Sequence, residues 1–376
     1  MAEAAGPAGQ AERVSTLELF FDLVFVFTIT QLTAVLSDDP TPRGLGRVVL
    51  MLGVIFWMYG GYAWLTNAVA PDRAARRLVL LGGMAGFLVL ALTVPQAFEG
   101  DDLAFGLAYL VVVSIHAGLY SRTNEAGTIR SLVRLARFNL ASALLVLAAV
   151  VAGGTAGYLL WAAAFTLEWA TPLVTGIGGF RVAPAHFVER HGLVVIVALG
   201  ESVVAIGIGA AGLPVDLALV SVAVLGLLLA ACLWWAYFGG DDSRAERALA
   251  AVPEDRRAAV AVRAFGYWHL PILLGIIALA AGLKDAIGHA FDPLDLAHAL
   301  LLGGGAATFL AGDILFRRTL HLGPARHRAT AAALAVATVP VGLAASAVLQ
   351  LVVLGAVLSG SLAAESSVTW SGGRQK

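Results

Sequence analysis

The chain has 376 residues, of which 59% are hydrophobic and 13% charged, with a formal net charge of −1 and a mean hydropathy of +0.86. Soluble proteins average about 25% charged residues, so the composition excludes a soluble enzyme, a disordered chain and a disulfide scaffold. The near-zero net charge supplies no global field for nucleic acid, and a single cysteine, Cys232, excludes an internal disulfide or a cysteine-based metal cluster.

In chain order, residues 1–14 are small and polar. No basic segment precedes a cleavable apolar stretch, so they read as a flexible cytoplasmic tail rather than a signal peptide. Apolar runs of spanning length follow at about 17–37, 46–67, 77–97, 103–121, 136–153 and 157–175. A second series lies at about 192–211, 215–238, 262–282 and 296–316. The run from Thr330 to Leu362 contains Pro340 and Gly342 and divides into two tight helices with a turn near Leu343–Ser346. Residues 363–376 form a second cytoplasmic tail. Backbone groups in hydrocarbon must bond internally, so these runs are helices. The expected fold is an all-α integral membrane protein with about twelve transmembrane helices.

The basic residues support that count. With the N-terminus inside, inner segments hold Arg13, the Arg73–Arg77 and Arg122–Arg137 groups, Arg181 and Arg190. They also hold the Arg244–Arg263 group, the Arg317–Arg328 group, Arg374 and Lys376. Outer loops hold only Arg43, Arg47 and Lys284 of the 24 Lys and Arg. This is the positive-inside pattern with both termini cytoplasmic. Trp64, Trp234, Trp235 and Tyr237 fall at the inner interface, where amphipathic rings settle.

The chain reads as two parallel six-span repeats, residues 15–180 and 181–362. Glu18 and Glu189 are related by a 171-residue offset, which also takes Trp64 to Trp235. Two-fold repeats place functional sites at the repeat interface.

Ionisable groups inside spans cost roughly 2.5–3.5 kcal/mol on insertion scales, so each needs a reason. Ser15 and Glu18 fit a capping box. Asp22 lies one turn further on the same helix face, where capping cannot explain it. It requires a proton, a donor from another helix or a cation. Glu201, in Gly200-Glu201-Ser202, falls near the midplane of its span, and Gly200 allows a close helix approach. Glu168 precedes Pro172 by four residues and His269 precedes Pro271 by two, so either can tend a carbonyl freed by proline or serve a path. His116 reads as packed or snorkelling, and Asp313 as paired with Arg317 at i,i+4. No Lys or Arg falls deep in a span. The acid-rich interior therefore points to protonated carboxyls or a cation site: Asp22, His116, Glu168 and His269 fall in the inner half and suggest a cytoplasm-facing polar vestibule that ends near Glu201, with Glu201, Asp22, His269, Glu168 and Ser202 as the ion, proton or substrate path. Ser15, Glu18, Gly200 and Pro271 are structural. No metal-ligand or cofactor motif occurs: Gly207-Ile208-Gly209-Ala210-Ala211-Gly212 matches a dinucleotide pattern but ends a membrane helix and follows no strand.

The expected partners are the bilayer, anionic lipid headgroups at the basic inner loops and a small ion or solute. Gly82-x-x-x-Gly86 offers a close helix contact, within one chain or in a homo-oligomer.

Two segments resemble a known family. The run from Ser15 to Phe27, STLELFFDLVFVF, is similar to the opening signature of the bacterial low temperature requirement protein A family. Glu189-Arg190-His191-Gly192-Leu193, followed by Leu199-Gly200-Glu201-Ser202, is similar to its second. Trp234-Trp235-x-Tyr237-Phe238 and Tyr267-x-His269-Leu270-Pro271 add to the match, which runs from about residue 13 to 362. The chain departs from the family pattern at His191, where an aromatic is usual, and at Gly239-Gly240, where an acid is common. The resemblance implies a multi-pass protein of the bacterial inner membrane, connected with growth at low temperature. Phe21-Asp22-x-Val24-Phe25 is also similar to the motif that opens each six-span repeat of the endolysosomal potassium and proton channels.

The residues then support a secondary transporter or ion conduit, proton-linked, with Glu201 as protonatable centre and Asp22 and His269 as relay or gate partners. The alternative is a membrane scaffold or lipid-binding regulator of cold and envelope adaptation. The transporter predicts that Asp22 and Glu201 face a common cavity; the scaffold predicts carboxyls satisfied by neighbouring helices. An enzyme would need Glu168, Glu201 and a histidine within about 4 Å around a pocket, and is not expected.

Overall fold

A computed structural model describes residues 14–68, 73–99, 103–120, 126–177 and 180–372. Every regular element among them is helical. The first half comprises α1 (Thr16–Asp38), α2 (Pro42–Ala68), α3 (Ala74–Thr93), α4 (Ala104–Tyr120), α5 (Ala126–Ala152) and α6 (Gly154–Thr175). The second begins with α7 (Pro184–Gly209) and α8 (Leu217–Phe238), followed by two short surface helices, α9 (Asp241–Ala251) and α10 (Glu254–Ala261). A π-helical turn, Val262–Tyr267, joins α10 to α11 (His269–Gly288). Then come α12 (Leu296–Thr319), α13 (Arg326–Ala337), α14 (Val339–Ala344) and α15 (Ala347–Gly372).

Among the described residues, ten helical segments are long and apolar enough to cross a membrane, with α8–α9, α10–α11 and α13–α14 each counted as one. Their exposed faces are apolar, as with Leu23, Leu78, Val151, Val224 and Leu227, so the solvent that suits them is lipid. The chain is a multi-pass membrane protein. Arg13, Arg122, Arg374 and Lys376 lie outside the described residues, as does nearly all of the segment read as an N-terminal tail. The segment read as a C-terminal tail is mostly helix, because α15 continues to Gly372.

Local sequence explains the ends. Ser15 and Glu18 form the expected capping box. Asp216 and Asp295 cap α8 and α12 by accepting from the Leu219 and His298 N–H groups at 2.9 and 2.8 Å. The Asp295 carboxyl is held below its ordinary pKa, chiefly by that His298 N–H bond. The turn expected near Leu343–Ser346 lies at Ala345–Ser346. Its backbone is clasped by the loop before α12: Leu294 N–H donates to Gly342 C=O, Ala347 N–H to Asp292 C=O and Val348 N–H to Ala290 C=O, at 2.9–3.1 Å.

Helix neighbours recur in the two halves. In the first, α1 packs on α2 and α3, α2 on α4 and α6, and α3–α4, α4–α5 and α5–α6 follow in series. In the second, α7 packs on α8 and α11, α8 on α12 and α15, and α11–α12, α12–α13 and α13–α15 follow in series. The halves meet where α1 packs on α7 and α11.

The closest packing joins α11 and α12. A Cβ on Gly275 would lie 2.4 Å from the Phe309 nitrogen, and one on Gly305 2.7 Å from the Leu279 nitrogen. Glycine therefore lets these two backbones touch. Gly86 does the same on a smaller scale against Val112, so the Gly82-x-x-x-Gly86 contact joins α3 to α4 within the chain. Gly200 does not act this way: nothing lies within 4 Å of a Cβ there, and its face is open.

Candidate functional site

The seam between α1 and α7 carries polar groups from one end to beyond its middle. Its first turns hold buried Glu18, whose carboxylate meets His186 Nε2 at 3.0 Å. One offset away, Glu189 accepts from the Val14 N–H at 3.3 Å. Arg190 then reaches across: its Nη1 donates to the Glu18 carbonyl and to Asp22 Oδ2, both at 2.8 Å. Tyr59 of α2 donates to Asp22 Oδ1 at 2.9 Å, and its ring lies 5.6 Å from the Arg190 guanidinium. Further along, Thr30 donates its hydroxyl to Glu201 Oε2 across the same 171-residue offset.

This corrects the view of a base-free interior. Arg190 is 1% exposed and paired with Asp22. The apolar run of the seventh span starts at about residue 192, but the helix starts at Pro184, whose fixed φ suits a first helical position. Two polar turns therefore join the span, and His186 and Arg190 bury against α1 while Glu189 stays exposed. Asp22 is an ion-paired residue, held by a donor from another helix.

Glu168 does not tend Pro172. Its Oε1 accepts from Ser142 of α5 at 2.6 Å and from Tyr109 of α4, which ties three helices of the first half together. His269 does tend a backbone carbonyl, that of Ala264, at 3.0 Å, and its Nε2 meets Tyr237 OH at 2.7 Å. Ala264 lies in the π-turn, whose longer hydrogen-bond spacing disturbs the usual ladder. Tyr237 is buried in that contact rather than placed at the interface, whereas Trp234 and Trp235 are exposed as interface rings should be. Ser202 is fully buried beside Glu201 in sequence, with no hydrogen-bond partner for its hydroxyl among the described residues.

Glu201 differs from the other buried carboxyls. It is 1% exposed, a single hydroxyl donates to it, and among the described residues no ion pair reaches it. Lys284 pairs with Asp38 at 3.6 Å and not with Glu201.

A cavity of about 100 Å³ lies beside the seam, between the two halves. Trp57 and Trp64 of α2, Trp169 of α6, and Phe265 in the π-turn form aromatic walls. Its polar lining comes from His116 of α4, Asn139 of α5 and His191 of α7. Neither Asp22 nor Glu201 lines it. The expected polar vestibule ending at Glu201 is thus replaced by an aromatic cavity and a separate polar seam. Glu168, Glu201 and the histidines do not converge around it either. His116 packs as expected, its ring 5.3 Å from Tyr62, but it also borders this space.

A second buried ionic cluster lies within the second half. Arg328 of α13 pairs with Asp313 of α12, with Asp241 of α9 at 3.2 Å and with Glu365 of α15 at 3.0 Å. Arg317 pairs with Asp241 and, at 2.9 Å, with Glu365. Asp313 therefore takes its partner from another helix rather than from Arg317 four residues on. Arg317 and Arg328 are 1% and 5% exposed, which withdraws them from the lipid headgroups expected to bind this loop. Asp241, the acid of this cluster, directly follows Gly239-Gly240, the glycines that stand where the family commonly has an acid. His191 likewise stacks as an aromatic would, 4.4 Å from Phe187 and 5.1 Å from Phe265.

Sequence reasoning missed Arg190, Tyr59, Asn139 and the π-turn. The pairing of Arg190 could have been found from Glu18 and Asp22, an acidic pair at i,i+4 that needs a neighbouring cation.

The comparisons agree with this architecture. The chain is 29% identical over 324 residues to the uncharacterized protein RA0937 of Rhizobium meliloti (strain 1021), which covers 81% of this chain and 77% of that protein. Residues 13–363 match the model of the bacterial low temperature requirement A protein (LtrA). Nearly the whole membrane domain is matched, including both polar segments of the α1–α7 seam, and the chain belongs to the bacterial low temperature requirement A family.

Proposed function

We propose that this protein is a secondary transporter, proton-linked through Glu201, built from two parallel six-helix repeats with both termini cytoplasmic in the bacterial inner membrane. The observation that carries the proposal is the position of Glu201. A sparsely compensated carboxyl lies buried where the two halves meet, on the same helix that sends His191 to a cavity lined by both halves. Intramembrane ionisable groups without a full partner mark proton or ion paths, and repeat interfaces are where transporters bind their solutes.

The repeat draws support from the recurring helix neighbours and from the seam itself. Glu18 with His186 and Glu189 with Val14 are near-equivalent contacts under the 171-residue offset, as contacts about a two-fold axis should be. The solute would occupy the aromatic cavity, and Asp22–Arg190 would hold the seam shut on its basic side. The chain on this view is a carrier and not an enzyme, acting in growth at low temperature as its family name indicates.

A scaffold role draws on different contacts: Glu18, Asp22 and Glu168 are each satisfied by neighbouring helices. Proteoliposome flux separates the two. With an imposed proton gradient, wild type should acidify or alkalinise the lumen above empty liposomes. Glu201→Gln should lose at least 10-fold of that flux while Glu168→Gln retains most of it. Equal flux in wild type and Glu201→Gln would remove Glu201 from the path, and wild-type flux no greater than that of empty liposomes would favour the scaffold.

A further inference from the structure

The inter-half cavity has a lining selective enough to name a ligand class. Two of its three indoles have their N–H groups engaged: Trp57 Nε1 donates to Asn139 Oδ1 at 3.1 Å, and Trp169 Nε1 to Gly53 C=O at 3.3 Å. These rings are fixed, so what they offer the cavity is aromatic surface. Trp57 and Trp169 lie 5.8 Å apart with planes 55° from each other, and Phe165 backs Trp169 at 5.7 Å. Gly60 and Gly176 border the same space, and nothing lies within 4 Å of a Cβ built on either, so the absent side chains leave room for a guest.

Two polar handles face this space. His191 Nδ1 is engaged by the Phe187 carbonyl at 2.8 Å, which leaves Nε2 as the remaining polar atom of that ring. Asn139 spends its oxygen on Trp57, which leaves its NH2 group. Among the described residues, no Asp, Glu, Lys or Arg lines the cavity. A charged guest would therefore enter without a counter-ion, at a cost of several kcal/mol. A neutral guest with a flat face would stack on the indoles and bond one or two handles. An apolar engineered cavity of about 150 Å³ holds benzene, and this space of about 100 Å³ is smaller, so its guest can be no larger than a single ring.

We propose that the cavity between Trp57, Trp169 and His191 binds a small, neutral, planar aromatic or heteroaromatic molecule carrying one hydrogen-bonding group. This names the solute class of the transporter proposed above, and it rests on that reading only for the movement of the ligand, not for its binding.

Phenol, toluene and benzoate test it as probes of equal ring size, titrated by calorimetry into detergent-purified full-length protein. Phenol should bind with the tightest Kd, toluene about 10-fold more weakly and benzoate not measurably. Gly60→Phe should weaken phenol at least 10-fold by filling the space. His191→Phe keeps the ring stack but removes one handle, so it should weaken phenol about 5-fold, as the loss of one hydrogen bond does, while leaving toluene unchanged. Size-exclusion elution and helical circular dichroism verify that both variants are folded. Phenol binding that survives Gly60→Phe, or benzoate binding as tightly as phenol, overturns the proposal. Absence of binding by all three probes to folded wild type also overturns it. Binding that follows the expected order without any flux would leave this inference standing and remove the transport reading alone.

Discussion

Two helix seams of this molecule are built on opposite principles. Between α11 and α12 the backbones touch through Gly275 and Gly305, and the contact lies inside the second half. Between α1 and α7 the contact joins the halves, and it is made by Glu18, His186, Arg190, Asp22, Thr30 and Glu201. Glycine packing is won from dispersion over many short contacts, none of which can be exchanged for water. Ion pairs and hydroxyl contacts can exchange partners with water or with one another. The difference teaches that shape fixes one seam and choice of partner the other, within an apolar core that the two halves share.

The largest effect that would break this contrast comes from Arg190→Leu. It leaves Asp22 buried without a cation, and truncating one partner of a buried pair costs about 3–5 kcal/mol. Thermal unfolding in detergent should show that loss, and Asp22→Asn combined with Arg190→Leu should recover part of it. Equal stability of Arg190→Leu and wild type would mean that the seam is not held by charge.

Gly305→Val comes next. Its Cβ would meet the Leu279 backbone nitrogen at 2.7 Å, and overpacking of that kind costs about 1–3 kcal/mol, or more where backbone must move. The expected result is a lower melting temperature with the proton flux of the surviving folded fraction unchanged. A flux change at unaltered stability would place α11–α12 among the moving parts.

The smallest effect is expected from Thr30→Val. It removes the single hydroxyl on Glu201 while keeping the side chain's volume, at a cost of about 1–3 kcal/mol for the acceptor left unpaired. The pH dependence of flux should shift with little loss of maximal rate. An unchanged pH profile would show that Thr30 only packs.

Much of the fold could be read from hydropathy, because lipid accepts few alternatives to a helix. The break at Ala345–Ser346 was legible through Pro340 and Gly342. The seam was half legible. Asp22 and Glu201 stood out as costly groups in apolar runs, but Arg190 lay outside the run at the start of its span and was assigned to a loop. Hydropathy marks where a span becomes apolar, not where its helix begins, and Pro184 lies two turns earlier. The ionic cluster was misread for a related reason: Asp313 and Arg317 are neighbours in sequence, whereas the partner chosen, Arg328, depends on how α13 returns against α12. The cavity was not legible at all. Its walls come from five helices and a π-turn, and no local spacing records that Trp57, Trp169 and His191 meet.

The clasp around Ala345–Ser346 bears on the order of assembly. The segment Arg326–Ala344 has a mean hydropathy of only 1.2, the lowest of the ten spanning segments, and it ends in an interrupted backbone. The three hydrogen bonds that close this interruption come from Ala290, Asp292 and Leu294, which precede α12. The first arm of the last hairpin is thus the least apolar spanning segment, while its second arm, Ala347–Ser366, is strongly apolar at 2.1. The earlier loop supplies the bonds that the first arm's broken backbone lacks, so that arm is expected to cross the membrane stably only when the loop before α12 is in place.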